Sequence, residues 1–433
     1  MAAVEGLTKI PELRRRILFT IGMLAVYRVG CHIPVPGVNT NTLSRFFESN
    51  QNTLFGMLNM FSGRALENAS IFALGIMPYI SASIIFQLLT VVWPYLGALS
   101  KEGEAGRRKI NQYTRYATVV LAMFQGFGIA SALMSAEEAG YVLFPGVKFK
   151  LLAVFTLAAG TSFIMWLGEQ ISERGIGNGT SLIIFSGISA GIPLAGQQTI
   201  QMVKDGQLSP LMLVLLAAGM VLVVGIIIFL EQGQRRIPIQ YAKRQVGRRL
   251  YGGQSTHLPL KINTSGVIPP IFASSLLMAP LTVIAFLPAN PVSDLIRDAI
   301  HRGGLVYYTL YVSLIVFFCF FYTAVVFNPG DVAENLKKYG GYVPGIRPGK
   351  NTSDYIDKVL SRITFGGALY LAIICLLPDF LITKFKVSFF FGGTTLLILV
   401  GVALDTVAQI QTFLLTRDYE GFMKNAKLRG RRG

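Results

Sequence analysis

About ten apolar runs, each long enough to cross a bilayer, recur along this 433-residue chain. They lie near 17–34, 70–94, 116–134, 151–170, 180–197, 210–230, 265–287, 305–328, 363–383 and 388–411. In hydrocarbon every backbone N–H and C=O must be satisfied internally, so runs of this length fold as helices. The expected fold class is an all-α polytopic membrane protein. The chain is 52% hydrophobic and only 14% charged, with mean hydropathy +0.54. Soluble chains carry about a quarter charged residues.

The net charge of +17 invites a nucleic-acid reading. The placement of the charge argues against it. With a cytoplasmic N-terminus and ten alternating spans, 29 of the 39 Lys and Arg fall in cytoplasmic segments. That is the positive-inside bias, and it sets both termini in the cytoplasm. Arg14-Arg15-Arg16 before the first run could mimic a cleavable signal, but no clear small-residue cleavage site follows. The first run is expected to remain as span one.

Two phrases occur twice, in the same order. Gly75-Ile-Met-Pro-Tyr-Ile-Ser-Ala-Ser83 returns as Gly266-Val-Ile-Pro-Pro-Ile-Phe-Ala-Ser274. Gly179-Thr-Ser-Leu-Ile-Ile-Phe-Ser-Gly-Ile188 returns as Gly393-Thr-Thr-Leu-Leu-Ile-Leu-Val-Gly-Val402. They sit on runs two and five, then seven and ten. Five crossings per half make the second half enter upside down, so the duplication is an inverted repeat. The expected organisation is an N-terminal arm at 1–16, a five-helix half at 17–197, a joining loop at 198–209, a second half at 210–411 and a basic tail at 412–433. Basic loops at 232–264 and 329–361 interrupt the second half. Alternation such as Arg236-Ile-Pro-Ile-Gln-Tyr241 predicts a β-ribbon in the first loop. A short helix is expected from Asp354 in the second.

Catalytic signatures do not occur. Pro344-Gly-Ile-Arg-Pro-Gly-Lys350 lacks the first Gly of a phosphate loop and the Ser or Thr after Lys. There is no His-Glu-x-x-His and no Gly-x-Ser-x-Gly. His32, His257 and His301 are scattered, and Cys31, Cys319 and Cys375 suit small buried hydrophobes. No metal, cofactor or enzymatic activity is expected. Arg28, Glu169 and Asp405 fall inside runs, and intramembrane charges are functional candidates. A coupled transporter would want such groups near the repeated phrases, which hold isoleucines instead. Those isoleucines read either as packing residues or as a ring that dewets a constriction. The external segment Thr53–Gly63 is apolar but too short to span. It reads either as a re-entrant element or as a surface amphipathic helix.

Longer stretches carry a resemblance over essentially the whole chain. They include Asn59-Met-Phe-Ser-Gly63, Ala69 to Ser83, Gly103-Glu-Ala-Gly-Arg-Arg-Lys109 and Trp166-Leu-Gly-Glu-Gln-Ile171. Arg174-Gly-Ile-Gly-Asn-Gly179, Gln254-Ser-Thr-His-Leu-Pro-Leu260 and Pro344-Gly-Ile-Arg-Pro-Gly349 complete the set. Together they resemble the SecY family, the channel subunits of the bacterial protein translocase. The resemblance implies an hourglass pore in the bacterial cytoplasmic membrane, between two five-helix halves that hinge at the 198–209 loop; because no nucleotide site is present, energy must come from a partner. Signal sequences and nascent polypeptides thread the pore or leave sideways into membrane lipid between spans two and seven.

Residue by residue, the resemblance implies a pore ring of Ile76, Ile80, Thr180, Ile184, Ile271 and Ile398. Thr180 departs from the usual branched aliphatic and adds a hydroxyl. It implies a plug near 53–66 whose apolar residues are Leu54, Phe55, Met57, Leu58, Met60 and Phe61. It implies a lateral gate with Ser83, Ile84, Gln87, Ser274 and Ser275. Arg235, Arg236, Arg244, Arg248, Arg249 and Arg347 would receive the motor ATPase SecA or the ribosome, whose RNA phosphates attract cations. SecE and SecG are the implied companion subunits. A secondary transporter with inverted repeats and a membrane scaffold are the competing classes. The first predicts saturable solute uptake by this chain alone, and the second no conductance.

Overall fold

The computed structural model describes residues 11–49, 59, 62–135, 140–206, 209–241, 244–246, 249–251, 255–284, 304–385 and 393–425. Its helices are α1 (Pro11–Gly30), α2 (Thr40–Ser49), α3 (Met77–Val92), α4 (Pro94–Lys101), α5 (Glu104–Ser135), α6 (Val147–Arg174) and α7 (Gly179–Lys204). They continue as α8 (Pro210–Gln232), α9 (Ile268–Ile284), α10 (Leu305–Val326), α11 (Pro329–Lys338), α12 (Lys350–Phe385) and α13 (Gly393–Asn425). Strands β1 (Gln234–Tyr241), β2 (Arg244–Val246), β3 (Arg249–Tyr251) and β4 (Ser255–Lys261) follow α8, and β5 (Gly341–Tyr342) follows α11. Among the described residues six helical segments are long and apolar enough to cross a membrane, and the bent pair α3–α4 would make a seventh. Apolar runs one, five and seven fall on α1, α7 and α9.

Prolines and caps set several helix starts. Pro78, Pro94, Pro210 and Pro329 occupy first-turn positions, where a missing N–H costs nothing. Ser209 caps α8 by accepting from the Met212 N–H, and Asn328 caps α11 by accepting from the Gly330 N–H. Run 70–94 is helical from Met77 to Val92 and ends at a sharp bend. Trp93 is extended before Pro94, and α4 departs from α3 at 98°. Three further segments are more helical than expected. Helix α7 continues to Lys204, inside the expected hinge loop, and α13 continues to Asn425, inside the expected tail. The short helix at Asp354 is the first part of the unbroken α12.

The chain forms two compact units. The first comprises Met1–Gln201, Met278–Arg297 and Val402–Gly433. Within it α5 packs along α6, α3 along α5, and α1 along α6. Small residues allow this. Ala122, Ala130, Ala153 and Ala158 are buried, and Gly126 faces Val154 and Leu157. A Cβ on Gly160 would overlap the Ile71 carbonyl oxygen, so that approach requires glycine. Phe72 stacks between Tyr27 of α1 and Phe163 of α6, with ring centroids 6.0 and 5.9 Å away. Glu169, the acid expected near the end of run four, has a partner: Arg115 Nε donates to its Oε1 at 2.7 Å, tying α5 to α6.

The second unit comprises Met202–Leu277 and Asp298–Gly401. Helix α10 packs on α12, and Phe272 meets Phe318 edge to face. Helix α8 exposes Leu211, Val214, Val221 and Phe229, an apolar surface suited to lipid. The expected β-ribbon is present. β1 pairs antiparallel with β4, and its far end pairs with β5. β2 and β3 form a separate two-stranded tip. Alternation along β1 turns Ile237 and Ile239 inward and leaves Arg235 and Arg236 exposed. Ile237, Leu260, Val343 and Ile356 make one small core beneath the ribbon, α11 and the start of α12.

Candidate pore and basic docking surface

The first repeated phrase has the same local geometry in both occurrences. Gly75 (φ +56°) and Gly266 (φ +62°) are both left-handed, a conformation that glycine adopts without a Cβ penalty. Each is followed two residues later by a helix start, at Met77 and Ile268. The second phrase also opens a helix each time, at Gly179 and Gly393.

In the first unit Ile76 sits at the entry to α3 and Ile80 one turn on, with Ile80 N–H donating to the Ile76 carbonyl. Both are buried. Thr180 and Ile184 are likewise one turn apart on α7, with Ile184 buried and Thr180 half-buried. Their height on α7 follows from a close backbone approach: a Cβ on Gly179 would overlap the Gly168 carbonyl oxygen of α6. In the second unit Ile271 on α9 and Ile398 on α13 are buried. There Gly401 packs on Val267, seating α13 against the lead-in to α9. The five isoleucines and Thr180 thus belong to the helices that carry the repeated phrases.

The expected gate residues lie on α3 and α9. On α3, Gln87 Nε2 donates to Ser83 Oγ at 3.4 Å and Ile84 is buried. On α9, Ser274 Oγ donates to the Ile271 carbonyl at 2.9 Å, and Ser274 and Ser275 are both buried. A serine that bonds back to its own helix can be buried without leaving its hydroxyl unsatisfied. The apolar plug residues Leu54, Phe55, Met57, Leu58, Met60 and Phe61 lie outside the described residues. So do Arg248 and the side chains of Arg244 and Arg249.

Arg347 is exposed in a turn bounded by two left-handed glycines, Gly345 (φ +81°) and Gly349 (φ +105°). Thr352 Oγ1 donates to its carbonyl at 3.0 Å, and Ile346 N–H closes the turn on the Val343 carbonyl. Val343 belongs to the core beneath β1, so Arg347, Arg235 and Arg236 ride on one packed module. This fixes their backbones and leaves the cations solvated, as phosphate or carboxylate recognition requires.

A family model for SecY matches residues 70–407. The protein translocase subunit SecY of Escherichia coli (strain K12) is 54% identical over 423 residues, covering 97% of this chain and 96% of its own. The chain belongs to the SecY family. A solved SecY translocation channel, described as having a plug domain that stabilises the closed state and maintains a membrane seal, has a TM-score of 0.64. It is 17% identical, and the match covers 94% of this chain and 96% of that one. Sec61 in a canine ribosome–channel complex from the endoplasmic reticulum has a TM-score of 0.60 at 15% identity, with coverages of 94% and 96%. Both share the fold. As a SecY-family chain with several apolar helices, the protein is a multi-pass subunit of the bacterial inner-membrane protein translocase. It is a protein-conducting channel and not an enzyme.

Membership in the SecY family leaves some residues to be placed by geometry alone. The three cysteines are buried and none is in a disulfide. Arg28 does not meet an acid among the described residues; its Nη1 donates to the Gly63 carbonyl. Tyr27, Thr20 and Gln409 belong to no sequence motif, and their partners, like that of Ser62, emerge only in the fold. Tyr27 hydroxyl donates to the Ser62 carbonyl at 3.1 Å, Ile176 N–H to Thr20 Oγ1 at 3.0 Å, and Gly177 N–H to Gln409 Oε1 at 2.9 Å.

Proposed function

We propose that this SecY chain crosses the membrane ten times as two inverted five-helix halves, 17–197 and 210–411, hinged through 198–209, with both termini cytoplasmic. Ile76, Ile80, Thr180, Ile184, Ile271 and Ile398 form the constriction of the pore. Branched aliphatics there exclude water and ions by dewetting and bind no cargo specifically, which suits polypeptides of any sequence. Residues near 53–66 are the plug that closes the resting channel. Ser83, Ile84 and Gln87 on α3 and Ser274 and Ser275 on α9 border the lateral gate. An apolar signal helix finds burial there comparable to lipid.

The observation that carries this reading is the doubled left-handed glycine, Gly75 and Gly266, each opening a proline-bearing helix whose equivalent positions are Ile80 and Ile271. Equivalent backbone geometry in two halves of one chain supports a site on their pseudo-symmetry axis.

SecE and SecG are the companion subunits. SecA or a translating ribosome supplies the driving force at Arg235, Arg236, Arg244, Arg248, Arg249 and Arg347. The ribosome part of this reading is supported by the likeness to Sec61 in its ribosome-bound complex. The test is reconstitution of the chain with SecE, SecG, SecA, ATP and a secretory precursor in proteoliposomes. The channel reading expects ATP-dependent protection of the precursor from external protease. Saturable uptake of a small solute by this chain alone, with no protection, would support a transporter. Neither activity would support a scaffold.

A further inference from the structure

We infer that Tyr27 and Arg28 are positioning residues that latch the root of the plug to the end of α1, an inference that rests on reading 53–66 as the plug.

The root is the stretch just after the apolar part of that segment. It is a self-bonded knot. Arg64 N–H donates to the Asn59 carbonyl at 2.7 Å. Asn59 Nδ2 donates to Glu67 Oε2, and Glu67 N–H returns a bond to Asn59 Oδ1, both at 2.9 Å. Arg64 pairs with Glu67 at 3.4 Å. Glu67 therefore neutralises Arg64 and leaves Arg28 to another acceptor.

Two donors from α1 reach this knot from 35 residues away in sequence. Tyr27 hydroxyl donates to the Ser62 carbonyl at 3.1 Å, and Arg28 Nη1 donates to the Gly63 carbonyl at 3.0 Å. In return Asn68 Nδ2 donates to the Cys31 carbonyl at 3.3 Å. A half-buried guanidinium on a carbonyl is a charge-assisted bond and is stronger than a neutral one. Gly63 (φ +67°) needs its left-handed backbone to present that carbonyl.

The two acceptors, Ser62 and Gly63, also approach the repeated phrases. A Cβ on Gly63 would lie 2.8 Å from Gly187 Cα and 2.9 Å from Arg28 Nη1. A Cβ on Gly75 would lie 3.4 Å from Ser62 Cα. The root is thus held between Gly75 of the first phrase, Gly187 of the second, and the end of α1. In the second unit Gly266, the counterpart of Gly75, meets nothing within 4 Å of its Cβ position among the described residues. Among the described residues this latch belongs to the half that carries the plug. It also gives the intramembrane cation Arg28 a task for which substrate contact is not needed.

The test uses the complex of this chain with SecE and SecG in planar bilayers, comparing wild type, Arg28→Met, Arg28→Lys, Tyr27→Phe and a deletion of 53–61. Losing a charge-assisted bond raises the detached population about tenfold, so Arg28→Met is expected to raise resting ion conductance by about that factor. Arg28→Lys keeps a cationic donor and stays within about twofold of wild type. Cys31 gives a second readout, since it is fully buried with Sγ 4.0 Å from the Ser62 carbonyl. Its alkylation by a maleimide, mapped by mass spectrometry, should rise in parallel with conductance. If Arg28→Met does not accumulate in membranes, Tyr27→Phe decides, with a several-fold rise expected.

An export-competent Arg28→Met with wild-type conductance and Cys31 reactivity overturns the latch. So does an Arg28→Lys as leaky as Arg28→Met. Wild-type conductance after deletion of 53–61 overturns the plug reading itself. A leak after that deletion with none after Arg28→Met or Tyr27→Phe overturns the latch alone.

Discussion

The backbone N–H of Gly177 donates to Gln409 Oε1 at 2.9 Å, joining positions 232 residues apart within one compact unit. Thr20 Oγ1 accepts from the next N–H upstream, Ile176, and Ser172 Oγ from Gly179 N–H. Three side chains from α1, α6 and α13 thus satisfy the turn that launches α7 with Thr180 and Ile184. Gln409→Leu leaves the Gly177 N–H unsatisfied and should destabilise the protein by about 1–2 kcal/mol. Gln409→Glu keeps an acceptor and should cost much less. The thermal midpoint of the purified complex, compared across both variants, checks this.

Glycine substitutions should separate tight seats from open ones. Gly179→Ala and Gly160→Ala each force a Cβ onto a carbonyl oxygen, and should cost about 1–3 kcal/mol each through helix displacement. Gly219→Ala on α8 meets nothing within 4 Å and should be neutral or slightly stabilising. Denaturation of the three variants in one detergent gives the ranking directly.

The Arg115–Glu169 pair is half-shielded, with side chains 47% and 22% exposed. Either single neutralisation, Arg115→Gln or Glu169→Gln, strands one charge at the α5–α6 seam. The double variant should be less destabilised than the sum of the singles, by about 1 kcal/mol. A double-mutant cycle on thermal stability measures that coupling.

Arg347→Glu should impair SecA-driven export of a secretory precursor several-fold more than insertion of a transmembrane segment. Its turn is closed by Gly345, Gly349 and Thr352 independently of the cation, so the fold should survive. Parallel assays of export and insertion in the same membranes test it. Equal loss of both would contradict a motor-specific role.

Local pattern was the legible part of this chain. Apolar runs forecast the helices because bilayer thickness fixes their length, and alternation at Arg236–Tyr241 forecast β1 because strand side chains alternate. The isoleucines could be grouped by the repeat, but their neighbours could not. Long-range bonds onto backbone carbonyls were invisible. Arg28 announced itself as an intramembrane charge, yet its acceptor is the Gly63 carbonyl, which every residue type possesses. Pro94 was visible in the sequence and marks the end of its run, but the direction of the helix beyond it was not. The 98° bend needs both the missing N–H and an extended Trp93.

The central claim is that polypeptide passes the ring borne on α3, α7, α9 and α13. The direct measurement is photocrosslinking of a precursor arrested midway through SecA-driven export. Probes are placed singly at Ile80, Ile184, Ile271 and Ile398, with Val221 on the exposed face of α8 as the reference. Strong crosslinks to the arrested chain are expected from all four ring positions and little from Val221. Crosslinks no stronger from the four isoleucines than from Val221 would contradict it.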